Sequence, residues 1–314
     1  GKIANIFPNE NAHSVIARRE APKQSRRLLR DPAGSLAMTP RGKSFVRITE
    51  KGVEFRSHLD GSKHLLTPEK SIAIQEKIGA DIVLAFDECT SPLANKTYTK
   101  LAMERTHRWA ARSLEAKKRK DQALFGIVQG GEYKNLRLTS AKFIASLPFA
   151  GFAVGGSLGK SKRDMHKILN WVIPELPEEK PRHLLGIGGF DDIVEAVARG
   201  IDWFDCFTPT RLARRGGTVL TRHGPFGLTL SKFKKDSKPI EPDCACPTCQ
   251  AGFSRAYLRH LVIAQEPLAM ELLTAHNLFT MTRFMQELRE AIAENKFTAF
   301  KNAVLKRKLY AGRN

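Results

Sequence analysis

Short apolar runs alternate with amphipathic stretches from residue 81 onward. The apolar runs cover residues 81–86, 123–128, 151–154, 183–187 and 203–207. The stretches between them with a helical period cover residues 98–120, 135–147, 162–172 and 191–200. Apolar strands that alternate with helices indicate a parallel sheet covered on both faces. We therefore predict an α/β fold, either an open doubly wound sheet or part of a (β/α)8 barrel.

Polar or glycine residues lie near the carboxyl end of each of these apolar runs or directly after it. They are Asp87, Gln129, Gly155 with Gly156, Gly188 with Gly189, and Asp205. The carboxyl ends of parallel strands lie at one edge of a sheet, and ligands bind at that edge in both candidate architectures. We therefore predict that these residues form one polar pocket. Taken singly, either aspartate is equally compatible with a helix cap or a solvated turn.

The remaining segments depart from this alternation. Residues 47–66 alternate around a turn at 48–52 and predict a β-hairpin. Residues 254–309 predict amphipathic helices, with Ser254 as an N-cap and Pro267 as a break. Residues 1–45 are basic and show no clear period, which is typical of a weakly ordered segment. We predict three regions: 1–45, a barrel region 46–239, and a helical region 240–314 that also contains closely spaced cysteines.

The excess of basic residues bears on which partner the protein binds. The chain carries 52 Lys and Arg against 32 Asp and Glu, so its formal net charge is +20. An excess of this size favours nucleic acid as a partner over a merely well-solvated surface. The sequence shows no apolar run long enough to span a membrane and no signal peptide. We expect a cytoplasmic protein that binds no membrane.

Three of the five cysteines lie within six residues, at Cys244, Cys246 and Cys249. This spacing lets one turn of the chain supply three thiolate ligands, and a histidine on a following helix completes a tetrahedral Zn²⁺ site. We predict His276 as the fourth ligand, with His260 in the same helical region as the alternative. Four protein ligands leave no position for water, so we expect one structural zinc ion.

A basic run follows Asp205 closely, at Thr210-Arg-Leu-Ala-Arg214-Arg215. Such a run is usually a solvated face. Here it places several cations beside the predicted pocket, within reach of a phosphate backbone.

The chain resembles the bacterial tRNA-guanine transglycosylases from about residue 47 to residue 305. The motifs that carry the resemblance occur in the order found in that family. They are Phe86-Asp-Glu-Cys-Thr90, Leu124-Phe-Gly-Ile-Val-Gln-Gly130, Val154-Gly-Gly156, Leu185-Gly-Ile-Gly188, Ile201-Asp-Trp-Phe-Asp-Cys206, Pro209-Thr-Arg-Leu-Ala-Arg214 and Ser254-Arg-Ala-Tyr-Leu258.

The resemblance implies a (β/α)8 barrel with a C-terminal zinc-binding helical subdomain. It also implies exchange of the wobble guanine in a tRNA anticodon for a 7-deazaguanine precursor base, in queuosine biosynthesis. The implied reaction is a double displacement through a covalent aspartate–ribose intermediate, as in retaining glycosidases. We further expect a homodimer.

Residue roles follow from the matched motifs. Asp205 matches the nucleophile, and Asp87 matches the acid that accepts both N–H groups of the guanine edge. Gln129, Gly155 and Gly156 match the groups that reach the base carbonyl. The segments that match tRNA-binding positions consist of Gly186, Ile187, Gly188, Gly189, Phe190, Asp191 and Asp192, and of Thr210, Arg211, Leu212, Ala213 and Arg214.

The resemblance fails upstream of residue 47. The family carries an Asp-Ser-Gly-Gly-(Phe/Tyr)-Gln motif whose aspartate is the general base, and this sequence contains none. Asp31 is the nearest candidate for that role, and the alternative is a loop aspartate among arginines. We also expect the first barrel strands to be missing or divergent. Either residues 1–45 close the gap in another way, another chain covers it, or the segment is a truncation or frameshift product.

Three hypotheses for function remain. The first is an active tRNA-guanine transglycosylase. The second is a zinc-containing tRNA-binding partner, or a truncated homologue, that does not exchange bases. The third, a glycosidase acting on sugars, fits poorly with the acceptor pattern around Asp87 and with the net charge of +20.

Overall fold

The computed structural model describes residues 46–306 and Tyr310. Asp31 and the rest of segment 1–45 lie outside the described residues. The described chain begins with an antiparallel sheet of β1 (Val46–Ile48), β2 (Val53–Arg56) and β3 (Lys63–Leu66). The predicted hairpin is therefore extended by a third strand. A second turn makes this possible: the Gly61 N–H donates to the Ser57 carbonyl over 3.0 Å, and Gly61 adopts a φ of 73°.

Five further strands alternate with helices. Their bounds are α1 (Pro68–Ile78), β4 (Ile82–Leu84), α2 (Lys96–Ala116), β5 (Ala123–Val128), α3 (Lys134–Ala145), β6 (Gly151–Val154), α4 (Lys162–Val172), β7 (Arg182–Leu184), α5 (Phe190–Val197) and β8 (Trp203–Phe204). The strands form one parallel sheet in chain order, from β4 to β8. This curled half-barrel with its helices confirms the predicted α/β barrel class.

Local signals explain where the helices begin. Thr67, Asn95 and Ser161 each lie directly before a helix, and each side chain accepts a hydrogen bond from a backbone N–H of the first turn. These contacts satisfy donors that have no partner inside the helix. The last two predicted strands were too long: they end at Leu184 and Phe204, and the residues that follow form loops at the edge of the sheet.

The core lies between the parallel sheet and its helices. It joins Val128, Phe152, Val154 and Leu184 of the strands to Ile144, Ile168 and Leu169 of the helices, all at most 1% exposed. The small antiparallel sheet is held to α2 by Trp109, whose indole N–H donates to the Glu50 carbonyl over 2.9 Å. Arg108 of α2 adds two hydrogen bonds to the Glu50 carboxylate.

The C-terminal part is helical with one short pair of strands. Its elements are α6 (Thr208–Gly216), β9 (Thr218–Val219), β10 (Phe226–Gly227), α7 (Pro247–Gln250), α8 (Arg255–Ala264), α9 (Pro267–Ala293) and α10 (Phe297–Leu305). The predicted N-cap is confirmed, because the Ser254 hydroxyl accepts from the Tyr257 N–H. The predicted break is confirmed as well, since α9 begins at Pro267. Among the described residues, no helix combines the length and apolar character needed to cross a membrane.

Two smaller cores lie in this part of the chain, and the second of them joins it to α5 of the barrel region. One surrounds the three clustered cysteines and includes Ala213, Val219 and Leu228. The other packs Phe190 of α5 against Phe284 of α9 and against Tyr310, with ring centroids 4.7 and 4.9 Å apart. Helix α9 therefore packs against α5 and also against α6, the helices that follow β7 and β8 in the chain.

Candidate functional site

Asp87 and Gln129 meet at the carboxyl edge of the parallel sheet, where β4 and β5 lie side by side. The Gln129 amide donates to Oδ2 of Asp87 over 2.6 Å. Asp87 is half-buried, and desolvation raises the pKa of its carboxyl to about 6 despite this hydrogen bond. A raised pKa in a polar cleft is typical of a binding or catalytic group.

The two glycines after β6 leave the space that Gln129 occupies. A Cβ on Gly156 would lie 2.2 Å from Oε1 of Gln129, and Gly156 also adopts a φ of 76°. A Cβ on Gly155 would lie 3.1 Å from Nε2 of the same amide. Oε1 itself is buried and has no hydrogen-bond partner within the described part of the chain. The Gln129 side chain is thus held by Asp87 through its NH₂ group. Its Oε1 atom faces the loop after β6 and can still accept a hydrogen bond.

Arg137 of α3 ties the loops of this pocket together. Its side chain is fully buried and donates to the carbonyls of Gly131, Val128, Gly155 and Ser157 over 2.7 to 3.0 Å. Desolvation lowers its pKa to about 10, so the group remains a cation at neutral pH. Sequence reasoning missed this residue, because an arginine within a helical stretch looks like any exposed cation.

Glu88 lies next to Asp87 in sequence and faces a different environment. Its buried carboxylate accepts a hydrogen bond from the Tyr98 hydroxyl over 2.6 Å and pairs with Arg105. These partners use both carboxylate oxygens. Of the two adjacent acids, only Asp87 therefore presents its carboxyl group to the pocket.

Asp205 follows β8 at the same edge of the sheet and is 58% exposed. Its Oδ1 accepts two hydrogen bonds, from the Gly186 N–H and from Nε2 of His183, each over 2.9 Å. His183 lies on β7, and sequence reasoning did not select it. Its position within an apolar run and beside the predicted strand end was the signal that could have identified it.

An exposed basic surface on α6 begins at Arg211, six residues after Asp205. Arg211, Arg214 and Arg215 of α6 are exposed, and none of them forms an ion pair within residues 46–306. The exposed ring of Phe207 lies 5.4 Å from the guanidinium of Arg211. An aromatic ring beside arginine is the combination on which unpaired nucleic-acid bases stack.

The segment from Gly186 to Asp192 is partly buried. The side chain of Phe190 lies in the core against Phe284, as described above. Asp191 and Asp192, at the first turn of α5, both pair with Lys162. Gly186 is exposed and Gly188 is buried, so the main chain at Gly186 is the most accessible part of this segment.

The structure brings the four predicted metal ligands together. Cys244, Cys246, Cys249 and His276 are buried, and their ligand atoms all lie within 4.8 Å of one another. Nδ1 of His276 lies 3.7, 3.3 and 3.6 Å from the three sulfur atoms. Zn–S and Zn–N bonds in a tetrahedral site imply sulfur–nitrogen edges of roughly 3.6 Å. The spacing therefore fits a metal ion.

Contacts around the ligands support this assignment. Nε2 of His276 lies 2.8 Å from the Leu220 carbonyl, which directs the proton to Nε2 and leaves Nδ1 as a ligand. Hydrogen bonds from Cys249 and His276 hold the pKa of the Cys246 thiol below its usual range, which favours the thiolate form that binds a metal ion. The alternative ligand, His260, is exposed on α8 and lies outside the cluster.

Comparison with known proteins decides the family. The family model described as Queuine tRNA-ribosyltransferase matches residues 22–309. This chain belongs to that family. A queuine tRNA-ribosyltransferase of Natranaerobius thermophilus is 53% identical over 262 residues, which cover 83% of this chain and 70% of the relative. The queuine tRNA-ribosyltransferase family is a family of pentosyltransferase enzymes.

Two further relatives show how widely the similarity extends. A queuine tRNA-ribosyltransferase of Herpetosiphon aurantiacus is 49% identical, over 83% of this chain and 66% of its own length. A putative queuine tRNA-ribosyltransferase of Archaeoglobus fulgidus is 48% identical, over 82% of this chain and 66% of its own length. The names of these relatives state that they act on tRNA and queuine.

Proposed function

We propose that this chain exchanges the wobble guanine of target tRNAs for a 7-deazaguanine base, through a covalent bond between Asp205 and the ribose. The observation that carries the proposal is the arrangement of two different carboxylates at one edge of one sheet. Asp87 is half-buried and held by Gln129, whereas Asp205 is exposed and, among residues 46–306, is held through Oδ1 alone. The family assignment supplies the reaction class.

The surroundings of Asp87 suit it for base recognition. A carboxylate accepts hydrogen bonds only, and guanine presents N1–H and an exocyclic amine side by side. Among the described residues, the Oε1 atom of Gln129 has no hydrogen-bond partner, and backbone groups of Gly155 and Gly156 lie next to it. We propose that these groups bind the remaining polar edge of the base. Queuine and its precursors share the guanine edge, so the same pocket takes the leaving and the incoming base.

Asp205 is the proposed nucleophile. Its carboxylate attacks C1′ of the ribose, an O–C1′ bond forms, and the C1′–N9 bond breaks with its electron pair on guanine. Guanine takes up one proton as it leaves. The incoming base then attacks C1′, releases the carboxylate and gives up one proton, so that protons balance over the cycle. Two inversions at one carbon retain the stereochemistry.

The basic surface on α6 is the proposed tRNA contact. Arg211 and Arg214 follow Asp205 by six and nine residues along the chain, and both are exposed and able to meet phosphates of the anticodon loop. Thr210, Leu212 and Ala213 belong to the same helix, and residues 186–192 form the loop after β7 and the first turn of α5. We propose that Phe207 stacks on an unpaired base next to the exchanged guanine.

The cysteine and histidine cluster is the proposed site of one structural zinc ion. Cys246 and Cys249 flank the first turn of α7, and His276 belongs to α9, which packs against α6. A metal ion bound there links three segments of the chain and supports the helix that carries the basic surface. We also propose a homodimer, for which the family resemblance is the only support.

A second candidate function rests on the sequence upstream of residue 47. The Asp-Ser-Gly-Gly motif is absent, so a tRNA-binding protein that does not exchange bases is the alternative. A general base contributes about 10²–10⁴-fold to a rate, so its loss slows exchange and leaves the covalent step observable.

Covalent trapping distinguishes the two candidates. The full chain, purified with its metal, is incubated with a tRNA that carries guanine at the wobble position and is then denatured. We expect a slow adduct that survives denaturation and is absent in Asp205→Asn. Incorporation of labelled guanine provides a second readout. Tight tRNA binding with neither adduct nor incorporation would overturn the proposed exchange and favour the alternative.

A further inference from the structure

His183 and Asp205 form a contact between two neighbouring strands. In the register of β7 and β8, His183 lies opposite Trp203. Side chains alternate along a strand, so Trp203 and Asp205 point to the same side as His183. On this side of the sheet, Nε2 of the His183 imidazole lies 2.9 Å from Oδ1 of Asp205. The side chain of His183 is only 14% exposed, whereas that of Asp205 is 58% exposed.

The chemistry of the two groups determines the direction of the hydrogen bond. A carboxylate has no proton to donate, so Nε2 of His183 carries the proton and donates it. The Gly186 N–H donates to the same oxygen. No hydrogen bond to Oδ2 occurs within the part of the chain that the structure describes. One oxygen of Asp205 is therefore held by two donors, and the other is free.

We infer that His183 is a positioning residue that orients Asp205 so that Oδ2 attacks the ribose, an inference that rests on the proposed function. Two donors on Oδ1 restrict rotation of the carboxylate and direct Oδ2 towards the open side of the sheet. Oδ1 becomes the carbonyl oxygen of the covalent intermediate, and both donors remain usable in that state. The bond changes are those described above, and His183 neither gains nor loses a proton in them.

The geometry argues against a proton-accepting role for His183. Its Nε2 already donates to Asp205, and the ring lies on the buried side of the carboxylate, away from the open side where tRNA approaches. A fixed carboxylate reacts faster because a misplacement of about 1 Å can cost roughly 10²-fold in rate. The effect of losing His183 is thus expected in the rate of adduct formation and not in tRNA affinity.

The test compares three variants of the full chain. His183→Leu removes the donor, and His183→Gln keeps an N–H donor at a similar reach. His64→Leu, at an exposed histidine on β3, controls for the loss of a histidine. We expect His183→Leu to slow adduct formation roughly 10- to 100-fold with an unchanged tRNA dissociation constant. His183→Gln should recover most of the rate, and His64→Leu should match the wild type.

Two outcomes overturn the inference. One is an adduct rate in His183→Leu equal to that of the wild type. The other is an equal loss in the Leu and Gln variants, which indicates a structural role alone. If the wild type forms no adduct, the proposed base exchange is wrong, but the role of His183 can still be tested. Crystal structures of the wild type and of His183→Leu then show whether His183 orients the Asp205 carboxylate. An Asp205 carboxylate with the same orientation in wild type and His183→Leu would show that His183 does not position it.

Discussion

The amide of Gln129 donates to Oδ2 of Asp87 over 2.6 Å, from one strand end to the next. This bond joins two residues of the proposed base pocket. Asp87 is proposed to select guanine, and Gln129 is proposed to bind near the carbonyl group of the base. The bond also partly offsets the cost of burying the Asp87 carboxylate, whose pKa is nevertheless raised to about 6. The half-buried Asp87 carboxylate has one neutral donor, so its charge is unfavourable for folding. The same carboxylate can accept two more hydrogen bonds from a ligand.

Asp87→Asn should make the protein more stable and abolish binding of the base. As pH rises from 3.8 to about 6 the unfolded carboxyl ionises before the folded one, so stability is lost over this window and stays reduced above it. At pH 7 the substitution should add roughly 1–3 kcal/mol to the free energy of unfolding. Thermal and urea unfolding measure the first effect, and calorimetric titration with guanine measures the second.

Glu88→Gln is the matched control at the adjacent acid. This change leaves the buried Arg105 contact without its charge partner and should lower the free energy of unfolding by about 2 kcal/mol or more. If both substitutions destabilise the protein, the Asp87 carboxylate is not an unfavourable buried charge.

Base binding should depend on pH through Asp87. The ionised carboxylate is the form that accepts both guanine donors, and half of it is present near pH 6. The association constant for guanine should therefore rise by roughly tenfold per pH unit below pH 6 and level off above it. Equilibrium binding between pH 5 and 8 measures this profile. A profile flat over that range, or one retained in Asp87→Asn, contradicts the assignment.

Gly156→Ala should displace the Gln129 amide. The added Cβ meets Oε1 of Gln129 at 2.2 Å, and the backbone already has a φ of 76°. Gly61→Ala is a matched control, because Gly61 has a φ of 73° and nothing within 4 Å of its Cβ. Both variants should lose about 1 kcal/mol to backbone strain, and only Gly156→Ala should lose more and bind guanine poorly. Equal unfolding free energies would show that the contact with Gln129 is unimportant.

Metal removal should destabilise the C-terminal helices. Elemental analysis of protein purified without chelator should give one zinc per chain. The Cys246→Ala, Cys249→Ala double variant should lose the metal and unfold at a lower temperature, since bound structural zinc contributes directly to folding free energy. Cys89→Ala, at a cysteine outside the cluster, is the control and should keep both the zinc and the melting temperature. Zinc retained in the double variant rules out this ligand set.

Binding of tRNA should weaken steeply with salt and depend on α6. Each phosphate neutralised by a cation adds about 0.9 to the slope of log K against log salt for a duplex, and about 0.7 for a single strand. Replacing both Arg211 and Arg214 with Ala should therefore reduce the slope by between one and two. Lys70→Ala with Lys77→Ala, on the exposed side of α1, removes the same charge elsewhere and should change the slope less. A larger effect of the α1 pair would place the RNA on another surface.

The sequence by itself determined most of the parallel strands and their helices, and the cluster of candidate metal ligands. Strands β5 and β6 and helix α4 lie where the apolar pattern predicted them, because buried strands and amphipathic helices leave local signals in composition and period. The metal ligands were predictable for a similar reason. Three of them lie within six residues, so their proximity needs no knowledge of the fold.

Only the tertiary structure decided which partners each side chain meets. The choice of His276 over His260, the bonds from His183 to Asp205 and from Gln129 to Asp87, and the burial of Arg137 all join residues that are distant in sequence. Such contacts depend on strand register and on helix packing, which no local pattern specifies. The same reason explains the opposite surroundings of Asp87 and Glu88. Their adjacency in sequence is fixed, but the pleat of the backbone and the position of α2 send one carboxylate to the pocket and the other to Arg105.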